Sequence, residues 1–235
     1  MRQLDPHHAL KEVRLLRSLA EPDIQELVNV ARVRSYQPRE RLWIVGDPIP
    51  GVIQILSGLI HVSLDNDQGE AFTSTCYWPD AIPTPSLLKS AEWSTTAVAV
   101  APVVWAIFPS EPFFTACART PQLALRVLND MCDITYRRIR WERLLRAVPL
   151  KQRLLRLFAR MADELGTLTE EGIVLDFPLT HQVVADLGWV RRDQAGRTMN
   201  ELADEGYIID RHRFRWLIPD RERLGPVPMI DPLVP

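Results

Sequence analysis

The sequence predicts an α+β fold in which an antiparallel β unit, a long helix and a second unit rich in helices follow one another. From about residue 32 to residue 108, short apolar runs such as VIQIL, LIHVSL and AVAVAPVVWAIF are separated by turn residues. Apolar residues then recur at helical spacing as far as Leu145, and two short helical patterns and a hairpin pattern follow. A chain of 235 residues is long enough to bury two cores joined by a linking helix.

The N-terminal unit is predicted to span 1–118 as an antiparallel β-roll (jelly roll) with a helical lead-in. The turn signals DP, SG and DNDQG divide its apolar runs into short strands, and strands at this spacing usually close into a barrel or jelly roll. Ahead of them, ALKEVRLLRSLAEPDIQELVNVARVR has helical periodicity, and Pro22 and Asp23 mark a helix start.

A long helix is predicted in 119–148, and its apolar stripe indicates a partner. The stripe residues follow one another at steps of 4, 3, 4, 3 and 4. A mean spacing of about 3.5 residues is typical of two helices that pack side by side, which predicts a parallel coiled coil in a homodimer. The alternative is an amphipathic helix that lies on its own β unit. The predicted dimer seam consists of Val127, Met131, Ile134, Arg138, Trp141 and Leu145.

The C-terminal unit, predicted for 149–222, has the order helix, short turn, helix and hairpin. A helix capped by Thr180 runs through THQVVADLG, the turn GWV follows, and a second helix ends at Gly206 before the hairpin strands YIID and RFRWLI. This order is that of a winged helix-turn-helix, whose second helix enters the DNA major groove. The remainder, 223–235, is a Pro-rich tail, and its stretch GPVPMIDPLVP is expected to be an extended strap or disordered.

Composition excludes several classes of protein. No run of 18 apolar residues occurs, and the first residues, MRQLDPHHALKEVRLL, are charged throughout, so we expect neither a membrane span nor a signal peptide. These features predict a cytoplasmic protein without a membrane partner. The three cysteines, Cys76, Cys117 and Cys132, are widely spaced, which favours buried free thiols over disulfides or a zinc site. The sequence therefore predicts no metal and no cofactor.

The charge that suggests DNA binding is concentrated in parts of the chain and is not seen in the net charge. The formal net charge is -2, yet all but three of the 28 basic residues are arginine, and nine basic residues lie between Tyr136 and Arg160. Arginine offers a rigid fork of donors that fits phosphate groups and guanine edges. We therefore expect cationic character in patches of the surface rather than over the whole molecule.

The second helix of the predicted pair carries the expected readers of base edges. Arg192 and Arg197 can each donate two hydrogen bonds to guanine, and Asp193 can accept one from cytosine. The free N–H groups at the start of the first helix can hold a phosphate. The predicted contacts to the DNA backbone are Thr180, His181, Gln182, Arg191 and Gln194. The apolar residues expected to face the core are Val183, Val184, Leu187, Ala195, Met199 and Leu202.

The stretch LTHQVVADLGWVRRDQAGRTMNELADEGYII resembles the pattern LTxQxxAxxLGxSRETVxRxLxxLxxxGxI of the CRP/FNR family of bacterial transcription regulators, without a gap. With the β-roll and the long helix, the resemblance extends to about Leu224. It implies that Arg192, Asp193 and Arg197 stand at the three positions that read base edges in that family. Asp193 replaces the usual glutamate, and Gly188–Trp189 replaces the usual Leu-Gly of the turn.

The resemblance also bears on the signal that the β-roll would sense. Cyclic-nucleotide-binding members carry a cassette resembling GDxxGExxL…RSA, with a glutamate for the ribose and an arginine for the phosphate. The stretch here, PDAIPTPSLLKSAEWSTTA, has Thr84 and Ser94 at those positions, and neither can neutralise a buried phosphate. We therefore expect no response to cyclic AMP. The side chains left around the cassette form either an effector pocket or part of the core: Trp78, Thr84, Ser86, Trp93, Ser94 and Thr95.

Two further sensing modes of the family lack their residues in this chain. There is no N-terminal cysteine cluster of the kind that iron–sulfur oxygen sensors carry. The haem-sensing branch uses a cysteine and a histidine in the cassette, where this chain has Pro83 and Pro85. The sequence names no effector, and a β-roll that binds another small molecule or haem stays an alternative.

Two other classes of function fit parts of the sequence. A cupin-like metalloprotein would need several convergent ligands in the β unit, which offers only His61. A protein-binding module without DNA would not need arginines at the reading positions. The sequence favours a homodimeric regulator that binds double-stranded DNA and is not an enzyme, and the resemblance implies RNA polymerase as a further partner.

Overall fold

The structure, a computed structural model, describes Leu10, Leu16 and residues 21–65, 71–88, 91–212 and 214–227. Helix α1 spans Glu21–Val30, next to the start predicted at Pro22 and Asp23. Most of the preceding part of the predicted lead-in helix lies outside the described residues.

Among the described residues, seven antiparallel strands form the β-roll, as the alternation of short apolar runs and turns predicted. They are β1 Arg32–Tyr36, β2 Arg41–Trp43, β3 Val52–Ser57, β4 Ile60–Asp65, β5 Ala71–Tyr77, β6 Thr96–Ala99 and β7 Val103–Phe108. One sheet has the order β1-β7-β3 and the other the order β2-β6-β4-β5. Gly51, just before β3, has a φ of +146°, and a Cβ there would lie 2.2 Å from the carbonyl oxygen of Phe108, so only glycine fits this close approach.

Tryptophan rings fill much of the space enclosed by the two sheets. The rings of Trp43 and Trp93 stack with centroids 4.0 Å apart, and those of Trp43 and Trp105 with centroids 5.9 Å apart. None of the three side chains is more than 3% exposed. Stacked rings contribute about 0.5–1.5 kcal/mol beyond the area that they bury. Trp93, predicted as a candidate for an effector pocket, is therefore a core residue.

Three helices follow the β-roll: α2 Ser110–Arg119, α3 Pro121–Arg146 and α4 Leu150–Leu165. Helix α3 is the predicted long helix, but its predicted dimer seam packs within its own chain. Three seam side chains lie against the β-roll core and two lie in the core of the C-terminal unit, while the sixth, Arg138, is exposed. The structure corrects the predicted seam, because a helix that passes over two units needs the same apolar stripe to pack on both. The first three are Val127, Met131 and Ile134, and the other two are Trp141 and Leu145.

The cysteines differ in their surroundings. All three are free thiols; Cys76 and Cys117 are partly buried, whereas Cys132 is exposed on α3. The prediction of buried thiols is therefore wrong for Cys132. Burial raises the pKa of Cys76, with a smaller contribution from the nearby Asp186 carboxylate, so this thiol stays protonated.

The C-terminal unit is a winged helix-turn-helix, as predicted. Its helices are α5 His181–Gly188 and α6 Arg192–Asp204, and its strands are β8 Thr167–Thr169, β9 Gly172–Leu175, β10 Ile209–His212 and β11 Arg215–Ile218. The strands form one antiparallel sheet with the order β10-β11-β9-β8. Five of the six apolar residues predicted to face the core are buried, and Val183 is partly buried against it.

The beginning of the Pro-rich tail belongs to this unit. Leu224, at the end of a short 3-10 turn, is 4% exposed and lies in the core that α4, α5 and α6 share. The stretch GPVPMIDPLVP, predicted to be an extended strap or disordered, begins directly after Leu224, and its residues 228–235 are not described. Within the described part, no helix is both long and apolar enough to cross a membrane.

Candidate nucleic-acid interface

The start of α5 has the geometry of a capped helix. The hydroxyl of Thr180 accepts a hydrogen bond from the Val183 N–H at 3.3 Å, as a residue at the N-cap does. The side chain of Gln182 is exposed, and its amide donates to the Asp186 carboxylate at 3.0 Å. Because the first N–H groups of a helix have no partner inside the helix, this end can donate hydrogen bonds to a phosphate oxygen.

The turn between α5 and α6 is closed by an unusual residue. Trp189 takes the left-handed conformation, with φ 51° and ψ 50°, at the position that ends α5. Glycine or asparagine usually occupies such a position, because a Cβ is crowded there. The Arg146 guanidinium lies over the indole, 5.4 Å from its ring centroid, and the Val190 N–H donates to the Ala185 carbonyl at 3.0 Å. The tryptophan predicted in this turn thus packs against the end of α3.

The leading end of α6 presents three arginines to solvent. The side chains of Arg191 and Arg197 are 84% and 74% exposed, and Arg192 is exposed between them. The Gln194 side chain accepts a hydrogen bond from the Arg191 N–H at 3.3 Å and so caps the helix. In the part of the chain that the structure describes, Arg192 makes no hydrogen bond or ion pair. Of the three guanidinium groups, that of Arg192 therefore has the fewest partners.

Asp193 lies between the arginines and contacts two of them. Its two carboxylate oxygens lie 3.1 Å from Arg197 Nη2 and 3.3 Å from Arg191 Nε. These are exposed ion pairs, which generally contribute no more than about 1 kcal/mol and exchange readily for contacts to a ligand. The carboxylate therefore orients Arg197 along the helix surface, and a contact to cytosine would have to compete with both arginines.

His181, at the start of α5, contacts both α6 and the wing, which is the hairpin of β10 and β11. A Cβ at Gly196 of α6 would lie 3.1 Å from the His181 ring, so the missing side chain makes room for this histidine. The His181 ring also meets the edge of Phe214, with centroids 5.6 Å apart, and the Phe214 carbonyl accepts from the Leu179 N–H at 2.9 Å. These contacts hold the wing beside the start of α5. Sequence reasoning missed Phe214, whose aromatic ring in a polar hairpin tip was the available signal.

Several arginines that precede the helix pair are engaged in the fold. Arg153 donates to the carbonyls of Leu145, Gly188 and Val148, which ties the end of α3 to the turn between α5 and α6. Burial lowers the pKa of Arg153, and the neighbouring Arg146 charge adds to that shift. Arg156 donates to the Leu144 carbonyl at 2.8 Å. The arginines of the basic run between Tyr136 and Arg160 are therefore in large part used for contacts within the fold.

A cavity of about 1030 Å³ lies between the β-roll, α3 and the winged helix unit. Of the candidate effector residues, only Trp78 and Thr84 line it. Ser86 is fully buried and its hydroxyl accepts from the Ile53 N–H, Thr95 accepts from the Trp43 indole, and Ser94 is exposed. The cavity thus brings together two of the six predicted residues, and the other four do not line it.

Comparison with known proteins agrees with this geometry. Residues 152–226 match the family model of the Crp-like helix-turn-helix domain. Curated protein sequences give no match at a comparable level. The chain therefore contains a Crp-like helix-turn-helix domain, in the position where the helix pair and the wing were found.

Solved structures resemble nearly the whole chain. A protein of Ruegeria pomeroyi that is described as a cyclic nucleotide binding protein is 18% identical, with a TM-score of 0.68 over 93% of this chain and 96% of that one. TTHB099, a CRP-family transcriptional regulator from Thermus thermophilus, is 20% identical, with a TM-score of 0.61 over 81% of this chain and 94% of that one. FixK2 from Bradyrhizobium japonicum is 16% identical, with a TM-score of 0.62 over 83% of this chain and 96% of that one. The chain thus has the fold of CRP/FNR-family transcription regulators, which confirms the resemblance in its sequence.

Proposed function

We propose that this protein is a cytoplasmic, sequence-specific DNA-binding transcription regulator that acts as a homodimer and not as an enzyme. The observation that carries the proposal is the exposed arginine group at the leading end of α6, in a winged helix-turn-helix whose core is fully packed. In this arrangement Arg192 and Arg197 donate to guanine edges in the major groove. Asp193 holds Arg197 in place until DNA replaces that contact.

The DNA backbone contacts surround these readers. His181 and Gln182 stand at the capped start of α5, where free N–H groups favour a phosphate. Arg191 is free to turn from Asp193 to a phosphate, because its side chain is 84% exposed. Thr180 and Gln194 support this surface as helix caps in addition to any direct contact.

The homodimer forms through the outer face of α3 rather than through the predicted seam. This face carries Leu125, Leu128 and Ile139, which are 60%, 58% and 54% exposed. Together with the exposed Cys132 and Thr135, they follow one another at steps of 3, 4, 3 and 4, the spacing of a two-stranded coiled coil. A second copy of the same face is the self-complementary partner that such a row fits.

A substitution in this row tests the dimer. Leu128→Glu places a charge in the apolar seam, and we expect it to convert the dimer to monomers at micromolar concentration in sedimentation experiments. Leu168→Glu is the matched control, because Leu168 is 81% exposed on β8, away from α3. A wild-type monomer, or equal effects of the two substitutions, would remove the homodimer from the proposal.

The proposed regulator does not respond to cyclic AMP. Thr84 and Ser94 supply no charge for a cyclic phosphate, and the stacked tryptophans occupy the β-roll interior. We expect no rise in melting temperature with cyclic AMP or cyclic GMP below millimolar concentration, since a ligand must bind the native state to stabilise it. The cavity between the units supports the alternative of another small effector. Contact with RNA polymerase is a further part of the proposal, and the resemblance to the family supports it.

Selection from a random-sequence DNA library tests the proposed function directly. A homodimer with two reading helices should enrich an inverted repeat whose half-sites are about one helical turn, roughly 34 Å, apart. Each half-site should contain guanines for Arg192 and Arg197. Recovery of unselected sequences at every salt concentration would contradict sequence-specific binding.

A further inference from the structure

The last described residues of the chain reach the large cavity between the units. Arg221 donates to the Gly225 carbonyl at 2.8 Å, and the same guanidinium pairs at 2.6 Å with Asp163, which lines the cavity. Two residues after Gly225, Val227 packs against the core of the winged helix unit and lines the cavity as well. These contacts fix the path of the main chain, so the residues that follow Val227 start at the cavity itself.

The cavity has a largely apolar wall to which the β-roll, α3 and the winged helix unit all contribute. Its volume of about 1030 Å³ is at the upper end of the range for small-ligand sites, about 300–1,000 Å³, so several residues of an extended chain fit in it. Apolar surface of this kind is stabilised when an apolar partner displaces water from it. Partly or fully buried side chains of the wall are Trp78, Ile82, Met131, Ile134, Trp141 and Leu187.

Most of the charged side chains that line the cavity already have a partner. The contacts are Arg137 with Asp133, Glu142 with Arg146, Arg160 with Glu164, Asp163 with Arg221, and Asp186 with His61. In the part of the chain that the structure describes, Arg138 and Asp80 line the cavity without an ion pair, and both are exposed. An acidic side chain that enters the cavity is therefore attracted to Arg138, on α3, and repelled by Asp80.

The segment that follows Val227 reads PMIDPLVP, residues 228–235, and its composition fits this cavity. A chain advances at most about 3.6 Å per residue, so Ile230 can reach about 11 Å from Val227 and Leu233 about 22 Å. Three prolines restrict the undocked chain, which lowers the conformational entropy lost on docking. Besides the prolines, the segment consists of four apolar residues and one acid, namely Met229, Ile230, Leu233, Val234 and Asp231.

We propose that residues 228–235 dock in this cavity of their own chain as a strap, with Met229 and Ile230 against the apolar wall and Asp231 beside Arg138. The strap adds a contact between the winged helix unit, from which it leaves, and the β-roll and α3, which supply most of the wall. Apolar burial carries most of its affinity, because an ion pair with the exposed Arg138 contributes little. Docking of the strap needs no DNA, so it holds or fails independently of the proposed DNA-binding function.

Competition with the neutral dye Nile red, which fluoresces in apolar cavities, tests the docking in the DNA-free protein. A variant that ends at Val227 should bind the dye about threefold or more tightly than the full chain, since a docked strap lowers the fraction of open cavities. Ile230→Ser keeps the chain length and should also raise the affinity for the dye. Ile209→Ser, at an exposed position of β10, is the matched control and should bind as the wild type does. Equal affinity of the full-length, truncated and Ile230→Ser proteins would overturn the proposal.

Charge reversal tests the contact between Asp231 and Arg138. Arg138→Asp and Asp231→Arg should each weaken docking and raise the dye affinity about twofold, and the double reversal should return it toward the wild-type value. Arg143→Asp, at an exposed position of α3 that does not line the cavity, is the control and should leave the dye affinity unchanged. Single reversals without effect, or a double reversal that restores nothing, would overturn this contact.

Photo-crosslinking shows which chain and which wall the strap meets. With Ile230→benzoylphenylalanine in the full-length protein, irradiation should give a product of one chain whose crosslinked peptides come from residues 131–142 or 76–84. A product of two chains, or peptides from elsewhere, would overturn docking in the cavity of the same chain. A small molecule retained in native mass spectra of the full-length protein, together with no crosslink to these peptides, would assign the cavity to an effector instead.

Discussion

The arginines at the start of α6 and the arginines between residues 137 and 160 look alike in the sequence but differ in what they contact. Arg191, Arg192 and Arg197 project into solvent, and among the described residues their only ion pairs are exposed contacts with Asp193. Arg153 and Arg156, by contrast, donate to main-chain carbonyls. Local charge therefore does not locate a nucleic-acid surface by itself; the partners of each guanidinium in the free protein do.

The largest expected effect comes from Arg153. Arg153→Met removes the side-chain donor that three carbonyls share at the junction of α3 and the helix-turn-helix, and we expect a loss of about 2–4 kcal/mol in the free energy of unfolding. Urea denaturation measures this loss. Arg143→Met, at an exposed position of α3, is the control and should change stability by no more than about 0.5 kcal/mol. Equal losses in the two variants would show that Arg153 is not a structural arginine.

Arg160 should have the next largest effect. Its guanidinium lies over Trp78 and Trp141, so Arg160→Leu should lower the free energy of unfolding by about 1–2 kcal/mol. Arg160→Lys keeps the charge but loses the planar stacking, and its free energy of unfolding should lie between those of the wild type and Arg160→Leu. Thermal unfolding, followed by tryptophan fluorescence, measures the stability of both variants. A lysine variant as stable as the wild type would mean that charge alone holds the two units together.

Substitution of Asp193 should have the smallest effect on stability and a visible effect on DNA sequence specificity. Asp193→Asn removes two exposed ion pairs, which is expected to cost no more than about 0.5 kcal/mol of folding free energy. Removing a negative charge beside DNA should raise affinity for random duplexes, while the released Arg197 discriminates less well. Anisotropy titrations with the selected and a scrambled duplex give the ratio of affinities. The orienting role would be excluded by a ratio identical to that of the wild type.

Sequence patterns predicted the elements that depend on local chemistry. The short strands followed from alternation and turn residues, and the start of α5 followed from Thr180, whose hydroxyl makes the expected cap. The packing of α3 could not be predicted in the same way. A spacing of about 3.5 residues fits a partner helix and the protein's own core equally well. Only the positions of the two units decide that Trp141 and Leu145 are buried within the chain while Leu128 is exposed.

Contacts between residues far apart in the chain could not be predicted from the sequence, for a related reason. His61 was predicted as an isolated histidine of the β unit, whereas it contacts Asp186 of the helix pair. Arg156 and Arg160 belong to the basic run from which cationic patches of the surface were expected, but each has a partner from another element. No periodicity records such pairs, because they are set by how the winged helix unit docks on the β-roll. Residues with ordinary local patterns can therefore hold functional positions.

The most direct test of the central claim removes each proposed reader and asks which base pair loses its preference. Arg192→Ala and Arg197→Ala should each cost about 1–3 kcal/mol of binding free energy and flatten one position per half-site in a library selection. Arg41→Ala, at an exposed position of β2 in the β-roll, is the control and should select the wild-type motif. Unchanged motifs in both α6 variants, with folding and dimerisation intact, would contradict the assignment of these arginines as readers.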